Sequence, residues 1–252
     1  MYSSTKAAGA EPPPPPDRSK GYRWAVYREF DIYVLDPRTG VEKRLTDGDG
    51  YDAETTVSPD GKRLVFMSHR DGAFNIFTMN LDGTDVRKLD QPRCYTGGPF
   101  FSPDGGWIVY RSFYPQSDEQ TKQLDTMLAD RALIPFPHMA IEVYVSRPDG
   151  SERRQVTKTG KINFAPIFHP DGRRICFTSD IHAKHRGQYA LWLVNPDGTG
   201  LEQVTFHEGT AENGGFDGFP CFSPDGRMVA WISNRNGTSR RDLNVFLAGW
   251  RD

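Results

Sequence analysis

Short apolar runs separated by tight polar turns dominate this sequence. The runs are rich in β-branched and aromatic side chains and alternate little with polar residues. Such runs predict short strands that are buried on both faces, as in sheets that stack against other sheets. The chain also contains 25 glycines and 19 prolines, which favour turns between such strands. The pattern therefore predicts an all-β fold.

A recurring tetrapeptide marks one of these turns. Ser-Pro-Asp-Gly, with His in place of Ser in one copy, occupies residues 58–61, 102–105, 169–172 and 223–226. Pro presets φ for a type I turn, and Gly accepts the left-handed conformation that closes a hairpin. Two further apolar runs follow every copy, and three copies lead on to an Asp-Gly turn and a fourth short segment. Repeated four-stranded antiparallel units of this kind predict the blades of a β-propeller.

The repeat is incomplete at both ends of the chain. Residues 30–46 predict a third and a fourth strand, and residues 1–5 predict the tail of a second strand. Residues 244–250 predict a third strand without a fourth. We therefore expect about five blade units, three complete and two partial. The propeller domain would span residues 30–252, and residues 1–29 would hold a strand remnant and a Pro-rich insertion. Because a propeller avoids open edges by pairing its ends within one blade, we also expect missing residues before Met1.

A second insertion, residues 113–141, separates two strands of one predicted blade. Ser117 and Gln120 form a capping box, and Pro135 ends the run. Three apolar side chains share one helical face: Leu124, Met127 and Leu128. The insertion predicts one amphipathic helix packed on the propeller, which would be either a surface decoration or a lid over the central channel.

Charge and composition exclude several classes of protein. Lys and Arg number 31 against 33 Asp and Glu, which excludes a polybasic nucleic-acid binder. No apolar run approaches the roughly 20 residues of a membrane span, and Met1 opens no signal-peptide pattern. Three cysteines without metal spacing support neither a disulfide framework nor a zinc site.

Candidate binding residues recur six positions before each tetrapeptide. Each of them carries a side-chain oxygen: Asp52, Thr96, Asn163 and Asp217. The first strand of each blade lines the channel of a propeller, so these oxygens would surround one mouth of it. Glu54 would point to the same side as Asp52 because side chains alternate along a strand. Such a group suits the amine end of a peptide or a hard cation, with Asp52 and Asp217 as the cation ligands. The alternative is that these side chains cap their own backbone at the strand entrance.

No catalytic centre emerges from the sequence. The six histidines show no metal or nucleophile spacing, and no Gly-x-Ser-x-Gly elbow is present. The glycine pairs lack the strand, helix and basic residue of a phosphate loop. We therefore predict a protein that is not an enzyme and needs no cofactor, apart from the divalent cation considered above.

The repeat resembles the Pro-Asp repeat of TolB-like β-propellers. Residues 218–226, followed by 233–236 and 244–250, are similar to the closing blade of stand-alone members, and residues 16–22 to an insertion those members carry. The resemblance implies a six-bladed propeller, exported to the periplasm, that binds a protein or peptide partner as a scaffold in the cell envelope. This chain would be an N-terminally truncated stand-alone member, without the N-terminal domain through which TolB engages partners.

An enzyme-associated propeller is the alternative hypothesis. Similar repeats precede the catalytic domain of prolyl-oligopeptidase-type and tricorn-type proteases, where the channel filters substrates. Another variant, the oligogalacturonate-lyase kind of propeller, holds a divalent metal at its channel. Both are implied by resemblance, and neither follows from a catalytic motif in the residues themselves.

Overall fold

A computed structural model describes residues 1–9, 11, 13–15, 23–89, 93–129, 133–135 and 139–251. The chain divides into two compact units. The first unit comprises Met1–Pro99 and Ser112–His138, and the second comprises Phe100–Arg111 and Met139–Asp252. Among the described helices, none is long and apolar enough to cross a membrane.

Strands account for almost all of the regular structure. In chain order they are β1 (Tyr2–Ser4), β2 (Arg23–Ala25), β3 (Asp31–Leu35), β4 (Glu42–Arg44), β5 (Ala53–Val57), β6 (Arg63–Ser68), β7 (Asn75–Asn80), β8 (Arg87–Lys88), β9 (Tyr95–Phe101) and β10 (Ile108–Phe113). The helix α1 (Asp118–Ala129) precedes β11 (Leu133–Pro135), β12 (Glu142–Ser146), β13 (Arg154–Gln155), β14 (Asn163–Phe168), β15 (Ile175–Ser179), β16 (Ala190–Val194), β17 (Glu202–Gln203), β18 (Asp217–Phe222), β19 (Met228–Ser233) and β20 (Asn244–Gly249).

The strands form five antiparallel blades of a β-propeller. In strand order the blades are β1-β3-β4, β5-β6-β7-β8, β9-β10-β12-β13, β14-β15-β16-β17 and β18-β19-β20. We call them blades 1 to 5. Three have four strands, and the first and last have three, as the incomplete repeats predicted. The two sequence insertions also meet in the first unit, because β2 pairs with β11 antiparallel in a separate two-stranded sheet.

The cores lie between neighbouring blades, which explains why the strands lack polar alternation. In the first unit, Ile32 of blade 1 packs with buried residues of blade 2: Leu64, Phe66, Phe77 and Met79. In the second unit, Phe177 belongs to a corresponding cluster with Val109, Val143, Val145 and Val194. Both faces of an inner blade are therefore buried, as the continuous apolar runs predicted.

The helix α1 begins as its capping box predicted, with one difference. The Ser117 Oγ accepts the N–H of Gln120 at 3.2 Å. The Gln120 side chain, however, accepts the N–H of Gln116 at 2.7 Å instead of the N–H of Ser117. The predicted apolar face is buried, since Leu124, Met127 and Leu128 are at most 6% exposed.

Each Ser-Pro-Asp-Gly turn is held by its own side chains. In blade 3 the Ser102 hydroxyl donates to Asp104 Oδ1, which also accepts the N–H of Gly106 at 3.0 Å. Gly105, the last residue of the turn, has φ of 72°, the left-handed conformation that the sequence predicted. The Ser102 hydroxyl and the Gly106 N–H hold the pKa of Asp104 below its ordinary value of 3.8.

The variant Asp104→Asn tests this electrostatic contribution. A carboxyl whose pKa is lowered by folding stabilises the protein above its unfolded pKa, and this stabilisation is lost as the pH falls through the folded pKa. We expect Asp104→Asn to have a lower free energy of unfolding than the parent at neutral pH. The difference between the two proteins should shrink below pH 3.8, the ordinary pKa of Asp104. Urea unfolding at a series of pH values measures it. A difference that does not change with pH would contradict the expectation.

Candidate functional site

The four predicted oxygen-bearing residues link consecutive blades. All are fully buried at the start of the first strand of their blade: Asp52, Thr96, Asn163 and Asp217. Their N–H groups donate to the residue before the third strand of the preceding blade, namely Phe30 (2.9 Å), Phe74 (3.0 Å), Ile141 (2.9 Å) and Tyr189 (3.0 Å), respectively. The position found by counting along the repeat is therefore a connection between blades. Asp52 and Thr96 lie in the first unit, and Asn163 and Asp217 lie in the second.

In blades 2 and 5 the buried oxygen belongs to an ion pair. Arg70 Nη2 lies 2.8 Å from Asp52 Oδ2, and Arg235 Nη2 lies 2.6 Å from Asp217 Oδ2. Each arginine comes 18 residues after its aspartate. The Arg235 guanidinium also lies 5.4 Å from the ring centroid of Trp231. Since opposite charges stabilise each other when both are partly removed from water, these pairs satisfy charges that burial would otherwise penalise.

The two ion pairs differ at one carboxylate oxygen. Trp231 Nε1 donates to Asp217 Oδ1 at 3.1 Å. Phe66 occupies the corresponding place in blade 2, and Asp52 Oδ1 is buried with no hydrogen-bond partner among the described residues. A cation at Asp217 would have to displace both donors, and within the described part of the chain no three His, Cys, Asp or Glu residues are grouped to hold a metal. The cation site at Asp52 and Asp217 stays a prediction.

In blades 3 and 4 the same position is neutral. Thr96 Oγ1 donates to the carbonyl of Phe74 at 2.7 Å. Asn163 Nδ2 donates to the carbonyl of Ile141 and to Glu142 Oε2, both at 2.8 Å. These side chains therefore bond the preceding blade, whereas the capping alternative assigned them to their own backbone. The sequence carried a signal for this difference, because only the aspartates have an arginine 18 residues later.

Glu54 does not follow the alternation that was used to place it. Its φ is 54°, and the pairing of β5 with β6 shifts between Ala53 and Thr56. Such a bulge inserts an extra residue and re-aims the side chains around it. Glu54 Oε2 instead accepts the N–H of Gly98. The period of two therefore fails here, and Glu54 connects blade 2 to the first strand of blade 3.

The same bulge places an aromatic side chain at the surface of blade 5. Phe219, which corresponds to Glu54, has φ of 56° and is 51% exposed. A positive φ is a genuine strain for a bulky residue. The centroid of the Phe219 ring lies 5.4 Å from that of Phe164 and 6.2 Å from that of Phe216. The centroids of Tyr189 and Phe164 also lie 5.4 Å apart. We call these four side chains the aromatic patch.

Two loops adjoin the aromatic patch and hold each other closely. Lys184 Nζ lies 3.0 Å from Glu208 Oε1, and His185 Nε2 lies 2.9 Å from the carbonyl oxygen of Gly214. Gly215 has φ of 81°, and a Cβ there would lie 2.6 Å from the carbonyl oxygen of Glu208. Only glycine fits such a contact. Burial raises the pKa of the Tyr189 phenol, so this member of the patch stays protonated.

Comparisons with known proteins agree with this architecture. Residues 26–129 match the family model PD40, the TolB beta propeller domain. The chain is 28% identical over 248 residues to the Tol-Pal system protein TolB of Francisella tularensis subsp. holarctica (strain OSU18), covering 87% of this chain and 55% of that protein. It is 26% identical over 210 residues to the uncharacterized peptidase YuxL of Bacillus subtilis (strain 168), covering 82% and 26% respectively.

A solved structure extends the comparison to the fold. The crystal structure of TolB from Acinetobacter baumannii superimposes with a TM-score of 0.65 at 16% identity, over 89% of this chain and 47% of that one. The chain thus spans less than two thirds of each of these three relatives. The repeat, the five blades and these matches lead to one conclusion: the chain is a β-propeller whose repeats are similar to those of the TolB beta propeller domain.

Proposed function

We propose that this propeller is a non-enzymatic scaffold of the cell envelope that binds a protein or peptide through the aromatic patch. The observation that carries the proposal is Phe219, a large apolar side chain that is 51% exposed at a φ of 56°. The exposure of this large apolar ring to water is unfavourable, whereas its positive φ belongs to the repeat, since Glu54, Gly98 and Ala165 have it at the equivalent position. A partner that covers the ring would remove this exposed apolar surface from water.

The surroundings of Phe219 suit a protein or peptide partner. The Phe219 ring packs against Phe164 and Phe216, with ring centroids 5.4 and 6.2 Å away. Because these contacts restrict the ring, it loses little conformational entropy on binding. The neighbouring loops supply an exposed basic and an exposed acidic side chain, Lys184 and Glu208. An aromatic centre with a polar rim is the usual composition of a protein-binding surface.

The envelope location rests on resemblance. The Francisella relative is a Tol-Pal system protein, and the repeat resembles propellers that are exported to the periplasm. We extend that location to this chain as part of the proposal.

Site-specific crosslinking tests the patch directly. A benzophenone amino acid placed at Phe219 is expected to form an adduct with a partner protein on illumination of cells. The matched control is the same amino acid at Leu201, an apolar residue that is 45% exposed. Leu201 follows the Asp-Gly turn between β16 and β17, at the end of blade 4 that lies away from Tyr189. Equal adducts at both positions, or none at Phe219, would refute the proposal.

The similarity to YuxL, named as a peptidase and matched over 82% of this chain, favours a second candidate function. In that case the propeller would filter substrates for a hydrolase. The same crosslinking experiment separates the two, because an adduct that reacts with a fluorophosphonate probe contains a serine hydrolase. A partner that does not react with the probe favours the scaffold.

A further inference from the structure

A cavity of about 380 Å³ lies between blades 3 and 4, where the Ser-Pro-Asp-Gly turn of blade 3 meets the corresponding turn of blade 4. We call it the inter-blade cavity; all of its lining residues belong to the second unit. Five of them are apolar: Pro103, Trp107, Val145, Phe168 and Pro196. Three carry a charge: Asp104, Arg154 and Asp171. Apolar walls with a few polar groups, enclosing a volume of this size, are typical of sites that bind small molecules.

Small side chains leave the inter-blade cavity open. Three of its residues have equivalents between blades 4 and 5, namely Ser102, Phe168 and Pro196 for His169, Phe222 and Trp250. The register of the second and third strands fixes the equivalence of Pro196 and Trp250. Between blades 4 and 5 the three rings contact one another, with centroids 4.7, 4.9 and 5.6 Å apart. Ser102 and Pro196 supply no aromatic ring, so the corresponding space between blades 3 and 4 stays unfilled.

Trp107 gives the inter-blade cavity an aromatic wall that the other repeats do not have. At this position, five residues after the first residue of the turn, the other copies carry Arg63, Arg174 and Met228. The Arg154 guanidinium lies 4.6 Å from the centroid of the Trp107 ring. Stacking on an aromatic face holds a guanidinium in a defined orientation, so that less conformational entropy is lost when it binds a carboxylate. Trp107 therefore serves both as an apolar surface and as a support for the charge of Arg154.

Two charged side chains of the inter-blade cavity have hydrogen-bonding capacity for a ligand. Arg154 forms no ion pair with the residues that the structure describes. Asp104 Oδ1 accepts both hydrogen bonds of its turn, whereas its Oδ2 accepts none from the described chain. Asp171 differs, because its Oδ2 lies 2.9 Å from Arg174 Nη2 and its Oδ1 accepts the N–H of Arg173 at 2.7 Å. The cavity thus offers one positive and one negative group beside an apolar surface.

We propose that the inter-blade cavity binds a small zwitterion with an apolar side chain, that is, a free apolar amino acid or a dipeptide of such residues. The ligand carboxylate pairs with Arg154 and its ammonium group with Asp104, while its side chain packs against the Trp107 ring. Charge-assisted hydrogen bonds at two points fix the orientation of such a ligand. Phe168 of the cavity lies at the end of β14 and Phe164 of the aromatic patch lies near its start, so this site does not rest on the proposed function.

Isothermal titration calorimetry of the full chain with L-phenylalanine and with the dipeptide Leu-Phe tests the proposal. We expect saturable binding, and the ligand that binds more tightly identifies the source. The amide of that ligand lacks the carboxylate, and its N-acetyl form lacks the positive charge. Each of these derivatives should bind about tenfold more weakly, because one charge-assisted hydrogen bond is lost.

Variants of the chain assign these losses to the cavity. Arg154→Gln should weaken binding of the unmodified ligand about tenfold and leave binding of the amide unchanged, because both changes remove the same ion pair. The matched control is Arg87→Gln in blade 2, since Thr78 pairs with Arg87 as Val145 pairs with Arg154. This control should bind the ligand as the parent does.

Pro196→Trp tests the cavity itself, because it introduces the side chain that fills the equivalent space in blade 5. Binding should be lost in this variant, and urea unfolding shows whether its fold is intact. Absence of saturable binding of both ligands at millimolar concentration, equal affinity for the amide, or an equal loss in Arg87→Gln would overturn the proposal. Unchanged binding in a folded Pro196→Trp variant would also overturn it, because the ligand would then bind elsewhere.

Discussion

Replacing Arg235 with isoleucine is expected to lower the free energy of unfolding by about 3 kcal/mol. Asp217 is 0% exposed and its Oδ2 lies 2.6 Å from Arg235 Nη2. Without the guanidinium, the carboxylate keeps the Trp231 indole as its one donor among the described residues and remains buried with an uncompensated charge. Removing one partner of a buried ion pair costs more than the pair contributes, because the desolvation of the remaining charge is no longer offset.

The chain supplies the matched control for this variant. Asn163 and Ile181 occupy in blade 4 the positions of Asp217 and Arg235 in blade 5, 18 residues apart in both cases. The double variant Asp217→Asn with Arg235→Ile recreates this neutral pair and should recover most of the lost stability. Urea unfolding of the parent, both single variants and the double variant gives the coupling energy. If the double variant is as unstable as Arg235→Ile, the buried charge is not the cause.

Phe177→Ala should lower the free energy of unfolding by about 4 kcal/mol. Phe177 is 0% exposed and packs with Val109, Val143 and Val194 in the core between blades 3 and 4 of the second unit. Truncation removes the apolar surface that the ring buries and leaves a cavity that rigid strands cannot fill.

Two variants serve as controls for the core. Phe177→Leu retains most of the volume and should lower the stability by about 1 kcal/mol. Phe206→Ala removes the same ring from a site that is 72% exposed, and should change the stability by less than about 0.5 kcal/mol. Chemical unfolding of the full chain measures all three. Similar losses for Phe177→Ala and Phe206→Ala would show that burial between the blades does not determine the stability.

The blades and turns were predictable because their causes are local. A type I turn that ends in a left-handed glycine needs only Pro, Asp and Gly in that order. The observed φ values of 70°, 72°, 70° and 70° at Gly61, Gly105, Gly172 and Gly226 agree. The apolar runs between these turns predicted buried strands for the same reason, since their composition decides which faces can meet water.

The site was predictable only in part. Counting along the repeat found the buried position of Asp52 and its counterparts, because the repeat fixes where each blade begins. Their partners lie on other strands, such as Arg70 in the loop after β6, and no local pattern names them. Glu54 was placed by alternation, which a bulge interrupts. Phe219 was missed because its exposure depends on the same bulge.

The sequence by itself determined the repeat, the turns, the buried runs and the partial blades at each end. These follow from backbone preferences and hydrophobicity, which act over a few residues. Only the tertiary structure decided that the aspartates form ion pairs and that Phe219 lies in an exposed aromatic patch. Those properties depend on which distant side chains and strands meet at a given point. Distances between residues far apart in sequence are set by the packing of whole blades, and no single segment encodes them.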